Sequence, residues 1–283
     1  MAREFRFGGA LLEADSGEGW AKKCERVEAA GYDVLLVPDH LGWPAPFPSL
    51  VAAAGATERV RLGTFVLNAA FWNPALLARE VATTQQLTGG RLELGLGTGY
   101  VREEFERAGL DYGTPRSRVD HLERLVAELE PLLPEPRPPM LLGGNGDRML
   151  RLAARHAGVV AFTGARHDTD GALRLLTAEA VDERVAAARR FAAEQGTDPE
   201  FNILVQRVVV TDDREAAAAE VAPRVPHLSM EQLLDAPTLL FGTVAQIAAQ
   251  VRANRERFGF SYVTVLEPSM EAFAQVIEEL RAC

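Results

Sequence analysis

Short runs of apolar and β-branched residues alternate along the whole chain with longer stretches whose apolar positions recur at helical spacing. The first run spans Phe5 to Leu12 and leads into a helix over about Gly17 to Ala30. There Trp20, Cys24 and Val27 share a face, Asp15 and Glu18 stand at capping-box spacing, and Gly31 marks the stop. Val34-Leu35-Leu36-Val37 predicts a second strand, followed by a short helix around Ser49 to Ala56. A third strand, Arg61 to Leu67, precedes Asn73-Pro74, an N-cap with proline at the first helical position, and that helix ends at Gly89-Gly90. The fourth, Arg91 to Leu96, enters a glycine-rich loop, and Leu122, Leu125, Val126, Leu129 and Leu132 mark an amphipathic helix before a proline cluster. The fifth, Met140 to Leu142, runs through Gly143-Gly144-Asn145-Gly146 into a helix ending near Ala157. The sixth, Val159 to Phe162, precedes a helix over about Ala180 to Glu194, and the seventh is Ile203 to Val210. The polar, alanine-rich stretch Asp212 to Leu234 reads as an insertion with helical pieces. Thr243 and Gln246 form another capping box, Tyr262 to Leu266 is the eighth strand, and Ser269 is placed to cap the closing helix.

Eight βα units in 283 residues predict an α/β fold, a closed parallel (β/α)8 TIM barrel. No shift in composition divides the chain, so residues 1–283 read as one domain carrying an insertion around 212–234. A doubly wound open sheet would place its nucleotide fingerprint directly after the first strand, whereas Phe7-Gly8-Gly9-Ala10 lies within that strand and lacks the spacing.

A hydrophobic content of 47% supplies a large core, and the net charge of −10 argues against a duplex nucleic acid partner. No apolar run is long enough to span a bilayer, and the charged start, Met1 to Arg6, does not resemble a signal peptide, so the expected location is the cytoplasm. Cys24 and Cys283 are too few for a disulfide framework. The only lysines, Lys22 and Lys23, fall on the first helix and at no strand end, which argues against Schiff-base chemistry and a Walker loop. His40, His121, His156, His167 and His227 lack zinc-ligand spacing, and no GxSxG elbow is present.

Barrel chemistry belongs at the C-terminal ends of the strands. Asp39-His40, followed by Trp43, puts a carboxylate and an imidazole there, suited to proton transfer beside a redox ring or, more simply, to fixing the following loop. Gly95, Gly97 and Gly99 either open bare backbone for a flat ring or serve a tight turn. Gly143 to Gly146, entering a helix, suit a phosphate, with Arg148 able to add charge and Asp147 able to cap. Glu13 is a further strand-end acid, and the other four histidines read as surface residues. A mouth without lysine or a carboxylate trio is suited to an organic cofactor that brings its own chemistry.

Val37-Pro38-Asp39-His40, the stretch Leu62 to Asn68, Asn73-Pro74-Ala75, Thr88 to Gly99 and Arg116 to Asp120 together resemble the luciferase-like monooxygenase family. Leu141 to Ala157 resembles its F420-dependent oxidoreductase branch. The resemblance implies a bacterial-luciferase-like barrel that transfers a hydride between the deazaflavin F420 and a small organic substrate. It implies His40 as the catalytic proton donor or acceptor, with Asp39 and His40 lining the ring, and a non-prolyl cis peptide at Phe65–Val66 behind it. Asn68 and the run Gly97, Thr98 and Gly99 match ring and ribityl contacts, and Gly143, Gly144, Asn145 and Gly146 match a phosphate-binding turn. No metal is implied. One departure stands out: sugar-phosphate dehydrogenases of the family carry a Glu after Gly-Thr-Gly, and this chain has Tyr100. The alternatives are a reduced-FMN monooxygenase served by a separate reductase, and a non-catalytic flavin-binding barrel with its mouth blocked by Phe71 and Trp72. A homodimer is also expected from the resemblance.

Overall fold

The computed structural model describes residues 3–167 and 173–282, without the side chains of His167 and Leu173. Met1, Ala2 and Cys283 from the readings above, and the side chain of His167, lie outside the described residues.

The chain runs β1 (Arg6–Ala10), α1 (Gly17–Ala29), β2 (Val34–Val37), α2 (Pro46–Ala56), β3 (Arg61–Thr64) and β4 (Leu67–Asn68). It continues through α3 (Pro74–Leu87), β5 (Leu92–Gly97), α4 (Arg102–Arg107), α5 (Pro115–Leu129), β6 (Met140–Gly143), α6 (Asp147–His156) and β7 (Val159–Phe162). A hairpin of β8 (Ala165–His167) and β9 (Leu173–Leu175) leads to α7 (Ala178–Gln195), β10 (Glu200–Val205) and β11 (Arg207–Val210). Then come α8 (Arg214–Val221), α9 (Met230–Asp235), β12 (Leu239–Gly242), α10 (Val244–Phe258), β13 (Phe260–Leu266) and α11 (Glu267–Arg281).

The parallel order β3-β2-β1-β13-β10-β7-β6-β5 closes on itself because β3 also pairs with β5, so the sheet is an eight-position barrel with helices between strands. β2 is buried at all four positions, the continuous apolar run expected of a parallel strand covered on both faces. Helix starts follow local chemistry. Asn73 accepts from the N–H groups of Ala75 and Leu76 ahead of Pro74, and Thr243 and Gln246 cap each other as the sequence predicts.

Several expectations need correction. Ser16, not Asp15, caps α1: its hydroxyl accepts from Gly19 N at 3.0 Å, while Asp15 turns to Ser16 N. α11 starts at Glu267 with Pro268 in its first turn, so Ser269 lies inside the helix and its buried hydroxyl accepts from Val208 N. The third strand breaks at the cis Phe65–Val66 bond into β3 and β4. The seventh breaks at Gln206, where β10 ends in the barrel and β11 leaves it to pair with β12. The stretch 212–234 supplies α8 and α9, whose Ala217, Ala218 and Leu233 join Leu239 and Phe241 in an apolar cluster separate from the main core. Lys23, although on α1, reaches the strand ends after all: its amine meets the Glu13 carbonyl at 3.0 Å and the Glu267 carboxylate at 2.6 Å, which holds it as an ion pair.

Candidate active site

The C-terminal ends of β2, β4, β5, β6 and β7 converge at one mouth, and His40 follows β2 there. His40 Nδ1 donates to Glu104 Oε1 at 2.9 Å, and the same oxygen accepts from Leu41 N at 3.2 Å. Glu104 is buried, and it comes from α4, a six-residue helix that the periodicity does not reveal. The His40 ring is flanked by Trp43, centroids 4.7 Å apart, and by Tyr100 at 5.7 Å, both edge to face. The Tyr100 hydroxyl lies 3.5 Å from His40 Nε2. Partial burial and the charge of Glu104 push the Tyr100 phenol above its ordinary pKa, keeping it protonated at neutral pH.

Asp39 does the anchoring work that the simpler reading assigned to it. Its Oδ2 accepts from Trp72 Nε1 at 3.0 Å and from Asn68 N at 3.2 Å, tying β2 to the end of β4. Burial raises its pKa, against the lowering effect of those two bonds and of His40. Asn68 in turn accepts from Ala70 N at 3.1 Å and caps the short turn that follows. Trp72 packs edge-on against Phe47 and Phe71 packs on Phe105, so both rings are engaged in the wall between neighbouring loops.

The glycines divide into two kinds. A Cβ on Gly95 would run into the Thr64 carbonyl, one on Gly97 would stand 2.7 Å from Val66 Cγ2, and one on Gly99 would overlap the Asn68 amide. Those three glycines therefore let the β3–β4 segment press against β5, and Gly99 also takes a left-handed φ of 69°. Packing within the protein, rather than space for a ring, accounts for them. At the second turn the case reverses: a Cβ on Gly143 would meet nothing closer than 3.7 Å, and one on Gly146 nothing within 4 Å. Bare backbone at those two positions is not demanded by the protein's own packing, whereas Gly144 takes a φ of 152° and a Cβ on it would stand 3.1 Å from Met149 Cγ.

That second turn leads into α6, whose N-cap Gly146 provides no side-chain cap, so the first N–H groups of the helix face the mouth. Asp147 is not the cap; its carboxylate bonds Arg184 at 2.7 Å. Arg148 is engaged with Asp120 and the Arg116 carbonyl. The N–H of Gly144 is spent on the Ala161 carbonyl at 3.0 Å. Asn145 spends its amide N–H groups on Thr163 Oγ1 and the Ala165 carbonyl, both at 2.6 Å, which leaves its buried Oδ1 an acceptor with no partner. An oxygen of that kind suits a ligand hydroxyl better than a phosphate oxygen.

The remaining candidates fall elsewhere. Glu13 is exposed. His121 bonds the Ala69 carbonyl, His156 pairs with Glu130 at 2.9 Å, and His227 bonds the Leu175 carbonyl. His121 and His156 are thus half-buried tethers rather than the surface residues the sequence suggests. Among the described residues, no helix is long and apolar enough to cross a membrane.

The luciferase-like monooxygenase family model matches residues 20–233. The chain belongs to this family. An uncharacterized protein of Mycobacterium tuberculosis is 28% identical over 251 residues, covering 71% of this chain and 83% of the relative. An F420-dependent glucose-6-phosphate dehydrogenase of Beutenbergia cavernae is 37% identical over 114 residues, only 37% of this chain and 34% of that enzyme. The structure of an F420-dependent secondary alcohol dehydrogenase holding an F420–acetone adduct superposes with a TM-score of 0.78 at 16% identity, covering 99% of this chain and 100% of that one. That likeness shows the shared barrel fold. The family is one of oxidoreductases and includes both F420-dependent and flavin-dependent members.

Proposed function

We propose that this barrel is an F420-dependent oxidoreductase that transfers a hydride between the deazaflavin and a small organic substrate. The observation that carries the reading is the His40–Glu104 pair: an imidazole fixed by a buried carboxylate at the end of β2 is a proton-handling device placed where barrel enzymes do chemistry. Hydride transfer to or from a carbonyl or alcohol needs such a partner, because the substrate oxygen gains or loses a proton as the carbon gains or loses the hydride.

The residues present fit the cofactor. The uncapped start of α6 and the open backbone at Gly143 and Gly146 would hold a phosphate, and the orphaned Asn145 Oδ1 would accept from a ribityl hydroxyl. Asn68 pairs with Gly97 across β4 and β5, and Phe65, Val66, Asn68, Gly97, Thr98 and Gly99 would back the ring from there, with Asp39 tying Asn68 to the end of β2. When bound, F420 supplies or accepts the hydride; the protein orients it, keeps water from the reacting face and moves the proton through His40. Trp43 and Tyr100, both about half exposed beside His40, give the substrate side an aromatic rim.

A flavin-dependent monooxygenase is the second reading, favoured by the flavin-dependent relatives. Titrating the purified protein separately with F420 and with FMN tests the choice. Saturable F420 binding, followed by turnover with reduced F420, is the expected result. FMN binding without F420 binding would overturn it.

A further inference from the structure

The hydrogen-bonded chain that starts at Glu104 does not end at His40. Glu104 is an acceptor, so His40 Nδ1 carries a proton, and the opposite nitrogen, Nε2, faces the Tyr100 hydroxyl at 3.5 Å. The order from inside to outside is buried carboxylate, imidazole, phenol. Exposure follows the same order: Glu104 is 8% exposed, the His40 side chain 21% and Tyr100 52%. A substrate entering the mouth therefore meets the phenol before the imidazole. Trp43 also packs on the His40 ring, with centroids 4.7 Å apart.

Tyr100 is itself held in place from behind. Tyr112 donates its hydroxyl to the Tyr100 carbonyl at 3.1 Å, and the Tyr112 ring is clasped between the guanidinium groups of Arg102 and Arg118 and packed on Phe105. The backbone that carries the phenol is thus fixed, as a group that must meet a reacting atom requires.

Building on the hydride-transfer reading above, we propose that Tyr100 is the catalytic residue that exchanges a proton with the oxygen of a ketone, aldehyde or alcohol substrate. His40 relays the proton, and Glu104 is the positioning residue that sets the His40 tautomer. In the direction of carbonyl reduction, a hydride from the reduced deazaflavin forms the new C–H bond and the C=O π pair moves onto oxygen. That oxygen takes the Tyr100 proton. His40 Nε2, which carries no proton in that tautomer, takes one from solvent and passes it to the phenolate, while Nδ1–H stays on Glu104. Two electrons pass from the reduced deazaflavin, which is left oxidised, and one proton comes from water. Alcohol oxidation runs the same steps backwards. The upward shift of the phenol pKa through burial and the Glu104 charge agrees with a group that waits protonated.

The test compares wild type with Tyr100→Phe in two ways. In 15N-histidine NMR of the cofactor-free protein, the His40 Nε2 resonance is expected to move when the hydroxyl is removed, while the other histidine signals stay in place and report an intact fold. With reduced F420 and a panel of uncharged ketones and aldehydes, the variant is expected to bind F420 as wild type does and to lose about 100-fold in kcat. An unmoved Nε2 resonance, an unchanged kcat, or a wild type that binds F420 yet reduces no carbonyl compound overturns the proposal and leaves the F420 reading standing. A wild type that does not bind F420 removes the reading on which the proposal rests.

Discussion

Glu104 Oε1 sits 2.9 Å from His40 Nδ1 and 3.2 Å from Leu41 N, so one buried oxygen fixes both the imidazole and the backbone beside it. Glu104→Ala removes both bonds and frees the ring to rotate or change tautomer, whereas Glu104→Gln keeps an acceptor oxygen in place without its charge. Glu104→Ala is expected to lower kcat roughly 100-fold, with a smaller loss for the Gln variant and little change in cofactor affinity for either. Steady-state kinetics beside a cofactor titration checks this. A Glu104→Ala enzyme with wild-type kcat would show that the pair has no part in turnover.

Gly97 and Gly146 make opposite predictions. Gly97→Ala puts a Cβ 2.7 Å from Val66 Cγ2 within a fully buried strand, so the neighbouring segment must shift. Overpacking of that kind costs about 1–3 kcal/mol. Gly146→Ala meets open space, and its φ of −74° is one any residue adopts, so stability should fall by less than ~1 kcal/mol, the scale of an N-cap change. Its added methyl instead stands over the turn proposed to hold the cofactor phosphate, and cofactor binding should weaken. Urea melts and cofactor titrations on both variants separate the effects. Equal loss of stability in the two would contradict the distinction.

Much of this barrel was legible because its information is local. The all-buried β2, the Asn73-Pro74 helix start and the Thr243–Gln246 box each rest on neighbouring residues, and alternating short and long apolar runs mark the βα units directly. The site was only half legible. Asp39 and His40 stood out at a strand end, but Glu104 lies 64 residues after His40 in a charged segment whose single buried aromatic, Phe105, gives no periodicity. The glycine run of β5 was visible, yet its reason was not, since that reason is the backbone of Thr64 and the side chain of Val66 on another strand. Asp147 and Arg148 misled for the same cause: their partners, Arg184 and Asp120, belong to distant helices.

Glu28 gives a pH dependence with a definite sign. Burial alone would raise its pKa, but the N–H groups of Val60, Arg59 and Glu58 donate to it at 2.8, 2.6 and 3.1 Å and outweigh that effect. The folded-state pKa is therefore lowered, and the native state holds the carboxylate more strongly than the unfolded chain does. The resulting stability is present in full above the ordinary glutamate pKa, about 4.3, and is lost as pH falls through that value towards the lower folded one. Glu28→Gln is expected to cost about 1.5 kcal/mol at neutral pH, the scale of hydrogen bonds to a charged acceptor. The gap between wild type and variant should close on acidification. Denaturation curves across the acid range measure it, and a gap that widens towards low pH would reverse the assignment.

Glu93 tests whether stability and chemistry are separated between the two ends of the barrel. Its Oε1 accepts from Arg6 Nη2 and Arg61 Nε, both at 2.6 Å, and Arg6 also pairs with Glu200 at 2.7 Å. Arg6 and Arg61 begin β1 and β3, and Glu200 begins β10, so the network stitches strands at the end opposite to His40. Glu93 is 4% exposed, and removing it leaves two guanidinium groups facing each other without the charge that joined them. Glu93→Ala is therefore expected to cost roughly 3 kcal/mol, the lower end of the loss for a broken buried pair, since both arginines keep some contact with water. The folded fraction should still bind cofactor and turn over as wild type does, because conservation of barrel geometry at the mouth depends on β2, β5 and β6 and their own packing. Urea midpoints together with kinetics well below the transition decide the matter. A lowered kcat in protein that is fully folded would show that the two ends are coupled.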